Sequence, residues 1–250
     1  MNLTNFQKIN LEEMEDVKFM NRTDTKFIFH TSWMEEFLKV LKENYTLLEI
    51  GGSSLQEYKT LYFDDSNFTF YKDHHNKKPH RYKVRMRNYV NSQISFLEIK
   101  EKVRGKTFKS RIQIPSLDKS IDCFKDFIHK DLPKNIHLQP TLVNYFERMT
   151  FVNFDKTERL TIDTNIRFIN KEESSPLENL LIAELKQSKL NRNSAFYRLM
   201  KKNQIRPSSM SKYCIGLIQS NLDNKIKYNR FKSKLRLIEK TTKNENTFSA

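Results

Sequence analysis

The 250-residue sequence is poor in the residues that interrupt or cross-link a fold, since it has 4 Gly, 6 Pro and 2 Cys. So little glycine excludes collagen-like and glycine-rich chains, and neither G-x-G-x-x-G nor G-x-x-x-x-G-K-[ST] occurs. Any phosphate chemistry must therefore depend on side chains. Cys123 and Cys214 have no metal-binding spacing, and we interpret them as core residues in a reducing compartment.

Long apolar runs are also missing from the sequence. No window approaches 18 consecutive apolar residues, and the first 20 residues carry acidic side chains where a signal peptide would have an apolar stretch. We therefore expect a soluble, cytoplasmic protein. A hydrophobic fraction of 37%, with 19 Phe and 10 Tyr, is sufficient for a folded core.

Positive charge is what the sequence has in excess. Lys and Arg number 45 against 30 Asp and Glu, which gives a net charge of +15. At this point three classes of partner remain open: nucleic acid, an anionic membrane and a small polyanion.

The order of apolar and polar residues predicts an α+β fold, with about eight antiparallel strands and helices beside them. We expect one domain over residues 1–220 and a Lys-rich extension over 221–250, helical at first and then frayed. His74 and His75 lie in a polar stretch, and we interpret them as a solvated loop pair rather than as ligands.

The segment from residue 81 to 89 narrows the choice of partner. Its period-two pattern puts one set of cations on a single strand face, namely Arg81, Lys83, Arg85 and Arg87. Neighbouring charges about 7 Å apart repel by roughly 2 kcal/mol at an effective dielectric constant of 20. For a single strand, a plain solvated face remains an alternative.

Three further segments, 96–102, 106–114 and 158–164, repeat this pattern of one charged and one apolar face. Charged faces that converge on a shared cavity predict a closed antiparallel eight-stranded β-barrel with a polar, basic interior and flanking helices. A sandwich would instead fill its interior with aliphatic side chains.

Two carboxylates stand among these cations in a repeated pattern. Glu98 and Glu184 each precede a lysine by two residues, Lys100 and Lys186, so each pair shares a strand face. A carboxylate beside phosphate-binding cations is the oxygen ligand that Mg²⁺ or Mn²⁺ requires. A same-face ion pair is the alternative interpretation of each glutamate.

Nine motifs then follow one another along the chain. They are Arg22-x-Asp24-x-Lys26, Leu61-Tyr-Phe-Asp64, Tyr71-x-x-His-His75, Lys83-x-Arg85-x-Arg87, Phe96-Leu-Glu98-Ile-Lys100, Tyr145-x-x-Arg148, Glu158-Arg159-Leu-Thr-Ile-Asp163, Ile182-Ala-Glu184-Leu-Lys186 and Ser211-Lys212-Tyr213. Together they resemble the VTC domain, the polyphosphate polymerase domain of the vacuolar transporter chaperone complex, over roughly residues 15–220. The resemblance implies the triphosphate tunnel fold, a barrel whose basic interior holds a linear chain of phosphates.

The resemblance also implies roles for individual residues. The cations that would grip phosphates in the tunnel are Lys26, Arg85, Arg87, Lys100, Arg148, Arg159 and Lys186. Basic positions that match less securely are Arg22, Arg81, Lys83, Lys109 and Arg111. Ser211 and Lys212 would contact phosphate, and Tyr145 the nucleotide. Glu184 would bind Mn²⁺ or Mg²⁺, with Glu98 as a second candidate.

One departure from the superfamily affects the expected reaction. The N-terminal Glu-x-Glu-x-Lys motif is Arg22-x-Asp24-x-Lys26 here, which fits the VTC branch and argues against a two-metal hydrolytic site. The resemblance implies a metal-dependent polymerase that transfers the terminal phosphate of ATP, or another nucleoside triphosphate, onto polyphosphate. Without a membrane helix, the product would stay in the cytoplasm or pass to a separate membrane protein.

Two other functions remain open. The same site could use water as the nucleophile, which would make the protein a triphosphatase or exopolyphosphatase. A non-catalytic module that binds polyphosphate or nucleic acid is the third possibility. Nucleic acid is disfavoured because Tyr82 and Phe108 alternate onto the faces opposite the cations.

Overall fold

The fold is a large mixed α/β structure, seen in a computed structural model that describes residues 2–15, 23–170, 173–220 and 226–243. The strands are β1 (Lys8–Ile9), β2 (Thr23–His30), β3 (Tyr45–Leu48), β4 (Gln56–Asp64), β5 (His80–Tyr89), β6 (Ile94–Val103), β7 (Lys106–Ile114), β8 (Gln139–Asn153), β9 (Glu158–Asn170), β10 (Glu173–Pro176) and β11 (Leu180–Gln187). The helices are α1 (Leu11–Glu15), α2 (Met34–Lys42), α3 (Thr69–His75), α4 (Lys125–Asp131), α5 (Ala195–Lys202), α6 (Lys212–Gln219) and α7 (Lys232–Thr242). None of these helices combines the length and the apolar composition that crossing a membrane requires.

All eleven strands belong to one sheet. Its main path runs in the order β2, β11, β9, β8, β4, β5, β6 and β7, and neighbours on this path are antiparallel. The short strands β3 and β10 pair with β8 and β9, and β1 pairs in parallel with β3. The sheet is curled, so it has a concave and a convex face.

The predicted closed eight-stranded barrel is wrong. Among the described strands, β2 and β7 end the main path, and no backbone ladder joins them. Closing a barrel requires matched strand tilt and register at the seam. The edge strand β7 instead exposes Lys106, Lys109 and Arg111, and charged side chains on an edge oppose further strand pairing.

Two apolar layers cover the convex face. Helices α2 and α5 pack on one half, where Phe37 and Phe196 are fully buried against Phe27 and Phe29 of β2. On the other half, the side chains that alternate with the charged ones of β5 and β6 pack against α3 and α4. This burial follows from the period-two pattern, because each charged face leaves an apolar face that must be removed from water.

Helix α6 lies on the concave face. Tyr213 and Leu217 are buried there against Leu142 of β8 and Phe168 of β9. A Cβ atom at Gly216 would lie 2.5 Å from Leu142 Cδ2 and 2.6 Å from Phe168 Cδ1, so glycine permits the close approach of helix and sheet.

The described part of the C-terminal segment packs on the same apolar cluster as α6. Phe231 and Ile238 are buried in it. The Tyr71 hydroxyl of α3 donates a hydrogen bond to the Lys227 carbonyl oxygen at 2.9 Å. This segment therefore shares its core with the sheet.

Gly216→Ala should destabilise the protein by about 1–3 kcal/mol, because the new methyl group overpacks the contact with Leu142 and Phe168. Urea unfolding at equilibrium measures this change. In an unconstrained helix the same substitution stabilises by about 1 kcal/mol, so the sign of the effect is diagnostic. A stabilised variant would contradict the close packing.

Candidate functional site

The concave face carries a continuous band of charged side chains, which we call the concave tract. Its cations are Lys26, Lys83, Arg85, Arg87, Lys100, Lys109, Arg148, Arg159, Lys186 and Lys212. Its carboxylates are Asp24, Glu98, Asp163 and Glu184. The strand register brings them together, because it sets Glu184 opposite Lys26 on one side, and Glu98 opposite Arg85. Positive charge is therefore in clear excess on this face.

Glu98 lies at one end of the tract and is 1% exposed. Its Oε2 atom accepts hydrogen bonds from Nε and Nη2 of Arg85, both at 2.7 Å, and its other oxygen contacts Lys109 Nζ. Burial alone would raise the pKa of Glu98, but Arg85, Arg87 and Lys109 outweigh it and lower the pKa to about 2. Glu98 is therefore ionised at neutral pH.

Asp163 lies at the centre of the tract and is also buried. Arg148 binds it through two parallel hydrogen bonds, Nε to Oδ1 at 2.5 Å and Nη2 to Oδ2 at 2.8 Å. Lys212 of α6 contacts the same carboxylate. Burial opposes ionisation here, but Arg148 and Lys212 hold the pKa of Asp163 well below its usual range.

Glu184 binds two cations at the β2 end of the tract. Lys26 Nζ lies 2.8 Å from Oε1, and Lys186 Nζ lies 3.3 Å from Oε2. Although burial opposes ionisation, these two lysines hold the pKa of Glu184 well below its usual range. The side chain of Glu184 is 18% exposed, so it is more accessible from the concavity than Glu98 is.

Three other cations of the tract make no ion pair with a carboxylate of the described residues. They are Lys83, Arg87 and Lys100. Arg87 is 8% exposed and lies over the rings of Tyr58 and Phe146, with its guanidinium carbon 5.4 Å and 5.8 Å from their centroids. These cations give the tract the capacity to bind an anion.

Lys83 is the cation most affected by this environment. Its Nζ donates a hydrogen bond to the neutral hydroxyl of Ser211 at 2.8 Å. Burial lowers the pKa of Lys83 to about 7, and Lys100, Lys26 and Arg85 contribute to the same direction. The effect of Lys26 on Lys83 and Lys100 shows that the two ends of the curled sheet face each other across the concavity.

The N-terminus of α6 enters the tract between the two halves of the sheet. Ser211 is the N-cap residue, and its Oγ accepts a hydrogen bond from the Cys214 N–H at 3.4 Å. Lys212 Nζ lies 4.3 Å from the centroid of the Phe146 ring, and burial lowers the pKa of Lys212 to about 8. The predicted pair of Ser211 and Lys212 therefore lies beside the strand cations.

Of the other predicted residues, Arg81 and Arg111 share the strand face of the tract, opposite Lys102 and Glu98 in the register, whereas Tyr145 does not. Tyr145 is on the convex face, where its ring lies 5.7 Å from Lys59 Nζ and 4.7 Å from the Arg167 guanidinium carbon. Arg111 lies over the Phe96 ring on the edge strand, and Arg81 donates to the Lys78 carbonyl oxygen. Arg22 lies outside the described residues.

Sequence reasoning missed an aromatic group on the charged face. Phe146 faces the concavity because it lies two residues before Arg148 on β8 and opposite Tyr58 in the register with β4, and it stacks on Tyr58 with ring centroids 4.8 Å apart. Tyr89 packs against Tyr58, and Phe96 packs against Tyr89. Period-two alternation along β8 could have indicated Phe146, because Phe146 shares a strand face with Arg148, whereas Tyr145 falls on the opposite face.

The histidine pair also differs from its prediction. His74 and His75 end helix α3 rather than lying in a loop, and both rings pack against Phe231. Burial lowers the pKa of His74 to about 2, with Lys83 and Arg81 adding to the effect. His74 is therefore neutral and weakly basic.

The model of the VTC domain family matches residues 21–221, which is most of the chain and includes the whole concave tract. The chain belongs to the VTC domain family. This assignment confirms the resemblance seen in the sequence motifs. The family supports a triphosphate tunnel enzyme.

Solved structures similar to this VTC domain are distant in sequence. A conserved hypothetical protein from Pyrococcus furiosus shares 12% identity at a TM-score of 0.45, covering 78% of this chain and 99% of its own. A Hippeastrum protein named an adenylyl cyclase, and described as having a dominant triphosphatase activity, shares 12% identity at a TM-score of 0.48, covering 78% and 95%. No curated protein matches the sequence. The family assignment rests on the sequence model.

A divalent metal is implied by the tunnel metalloenzyme superfamily, to which VTC domains belong. Within the described residues, no group of three or more His, Cys, Asp or Glu could hold a metal ion. Mg²⁺ and Mn²⁺ at phosphate sites need only one or two carboxylates, with substrate phosphates and water completing the shell. Glu184 fits this requirement better than Glu98, because its side chain is 18% exposed whereas that of Glu98 is 1% exposed.

Anion binding by this VTC domain should weaken as pH rises from 6.5 to 9.5. Lys83 and Lys212 have lowered pKa values of about 7 and 8, so they lose protons in this range, and an anion beside them must draw those protons back. Sulfate is the suitable probe because its charge is constant over the range. The sulfate-dependent shift in melting temperature, measured against chloride at equal ionic strength, should shrink as pH rises.

Lys83→Met should flatten this pH dependence near pH 7 while leaving the part near pH 8 in place. A sulfate effect that does not change with pH in the wild type would contradict the lowered pKa values. The absence of any sulfate-dependent stabilisation would contradict an anion site on the concave face.

Phe146→Leu should weaken tripolyphosphate binding about three- to tenfold, because the ring supports Arg87, Arg148 and Lys212. Isothermal calorimetry measures the affinity. Tyr145→Leu is the matched control, since it removes a neighbouring ring that also lies against two cations but on the convex face. A larger loss at Tyr145 would reverse the assignment of the two rings.

Proposed function

We propose that this protein is a metal-dependent polyphosphate polymerase, which transfers the terminal phosphate of ATP or another nucleoside triphosphate onto a polyphosphate chain bound along the concave tract. The supporting observation is the distribution of charged side chains on this face. Its cations extend continuously from β2 to β7, whereas Glu98, Asp163 and Glu184 are each already bound by two cations. A linear polyanion matches this arrangement.

Three cations that form no ion pair with a carboxylate of the described residues would bind phosphate most strongly. Lys83, Arg87 and Lys100 lie on the adjacent strands β5 and β6, with Lys83 directly opposite Lys100 in the register. Repulsion between them is relieved when phosphate oxygens lie between their side chains. Arg85, Arg148 and Arg159 extend the same surface on either side and would hold successive phosphates.

The reaction needs the two phosphate chains held in line, and it needs no nucleophile from the protein. A terminal oxygen of the polyphosphate chain attacks the γ-phosphorus of the nucleotide, and the bond from that phosphorus to the β–γ bridging oxygen breaks. The products are the nucleoside diphosphate and a chain longer by one phosphate. The Lys and Arg side chains of the tract would align the two chains in line and neutralise charge on the oxygens.

A phosphate nucleophile also fits the low basicity of three carboxylates and one histidine among the described residues. Glu98, Asp163 and Glu184 have lowered pKa values, and His74 has a pKa of about 2, so each accepts a proton poorly at neutral pH. Lys83 would be charged once a phosphate lies beside it. Hydrolysis needs a base to activate water, whereas an ionised phosphate oxygen needs none.

The metal has a limited part in this mechanism. When bound, Mg²⁺ or Mn²⁺ would neutralise charge on the phosphates of the nucleotide. Glu184 would hold it from the β2 end of the tract. Lys26 and Lys186 keep the Glu184 carboxylate ionised, which is the form that a metal requires.

Incubation with ATP and Mn²⁺ should yield ADP and phosphate chains longer than tripolyphosphate, and a short polyphosphate primer should shorten any lag. Sizing the products on a gel, together with an assay for free orthophosphate, separates polymerase from hydrolase. Stoichiometric orthophosphate without long chains would replace the polymerase by a triphosphatase. Binding without turnover would replace it by a polyphosphate-binding module.

Glu184→Gln should lower turnover about 100-fold or more and leave tripolyphosphate binding measurable, because it removes the metal-binding charge and keeps the side-chain shape. Glu101→Gln is the matched control, since Glu101 lies outside the tract beside His80 and Tyr82. Wild-type turnover in Glu184→Gln would show that Glu184 serves only its two lysines.

A further inference from the structure

Three consecutive residues at the start of α6 bind three different strands. Ser211 accepts a hydrogen bond from Lys83 of β5, and Lys212 contacts Asp163 of β9. The hydroxyl of the third residue, Tyr213, donates to Oδ2 of Asp64 at the end of β4, at 2.5 Å. The first two contacts lie in the concave tract, whereas the third lies outside it.

Asp64 is fully buried and organises this third contact. Its Oδ1 atom accepts from the backbone N–H groups of Asp65 and Phe70, and Oδ2 accepts from the N–H of Tyr71, all at 2.9 Å. The carboxylate thus binds the first turn of α3 and, through Tyr213, the first turn of α6. Nothing in the polymerase mechanism requires either residue, although both occur in the sequence motifs.

The α6 turn needs such an anchor because of the charge that it carries. Lys212 lies in a face already crowded with cations, and Arg148 and Lys26 both oppose the charge on its amino group. This repulsion tends to displace the turn from the sheet when no anion is bound. Asp163 of β9 opposes the displacement at Lys212, and the bond from Tyr213 to Asp64 opposes it at the next residue, on β4.

We propose that Asp64 and Tyr213 are positioning residues for the substrate site, which hold the first turn of α6 so that Ser211 and Lys212 meet the phosphates. The inference rests on the proposed function only in taking a polyphosphate as the ligand. Neither residue touches the phosphates, and both act through their neighbours in α6. The packing of the Tyr213 ring on Tyr62, with centroids 5.2 Å apart, supports the helix but does not fix the direction of its first turn.

Tyr213→Phe isolates the hydroxyl, because it keeps the ring and leaves Asp64 with its three backbone donors. We expect it to fold and to bind tripolyphosphate about tenfold more weakly by calorimetry. Tyr71→Phe is the matched control, since Tyr71 is equally buried and its hydroxyl donates one hydrogen bond, to the Lys227 carbonyl oxygen at 2.9 Å. That bond does not reach the α6 turn, so the affinity of Tyr71→Phe should stay within about twofold of the wild type.

A double-mutant cycle distinguishes positioning from general loss of structure. In a Lys212→Met background, the effect of Tyr213→Phe on affinity should largely disappear, because the residue that it positions has gone. In an Arg87→Ala background the effect should remain near tenfold. Equal effects in both backgrounds, or equal effects of Tyr213→Phe and Tyr71→Phe, would overturn the inference.

The binding assay separates this inference from the proposed function. Wild-type protein that binds tripolyphosphate without extending it would overturn the polymerase, and the cycle would still decide the role of Tyr213. Wild-type protein that does not bind tripolyphosphate would overturn both. Asp64→Asn provides a second variant, which should weaken binding at least as much as Tyr213→Phe, because an amide nitrogen at this position faces other donors.

Discussion

Crowding of like charges on one face of the sheet is the constraint on which the rest of this structure depends. Ten cations share a concave surface with four carboxylates, and the curl of the sheet brings both ends of that surface within electrostatic reach. Burial in such a surface costs free energy unless each charge is compensated. Glu98, Asp163 and Glu184 supply part of that compensation, each by binding two cations, and the remainder is left for an anionic ligand.

Apolar packing elsewhere in the fold offsets the free-energy cost of this crowding. The convex face is covered by helices α2 and α5 on one half and α3 and α4 on the other, so the free energy gained by burying apolar side chains offsets the electrostatic cost of the opposite face. Helix α6 closes one end of the concavity with an apolar surface and extends a serine and a lysine into its charged part. Gly216 lets this helix approach the sheet closely.

Chemistry on such a surface depends on the placement of phosphates rather than on a reactive side chain. In the proposed function the cations would hold the reacting oxygens, while Glu98, Asp163 and Glu184 stay ionised and weakly basic. The proposed polymerase depends on this balance, because a phosphate oxygen needs no base whereas water does. The order of motifs and the family assignment agree with this interpretation, since both point to an enzyme of triphosphates.

The sequence by itself determined the VTC family, the strand faces that carry Lys83, Arg85 and Arg87, and the charged pattern around Glu184, because these follow from residue order and from the period of two along a strand. Only the tertiary structure decided the rest. The sheet stays open between β2 and β7, and Phe146 stacks on Tyr58 of β4 and supports Arg87 and Arg148. Burial on helix α3 removes the basicity of His74, and a bond between Asp64 and Tyr213 anchors α6. Each of these depends on register, curvature or contacts between residues far apart in the chain, and a local pattern carries no information about them.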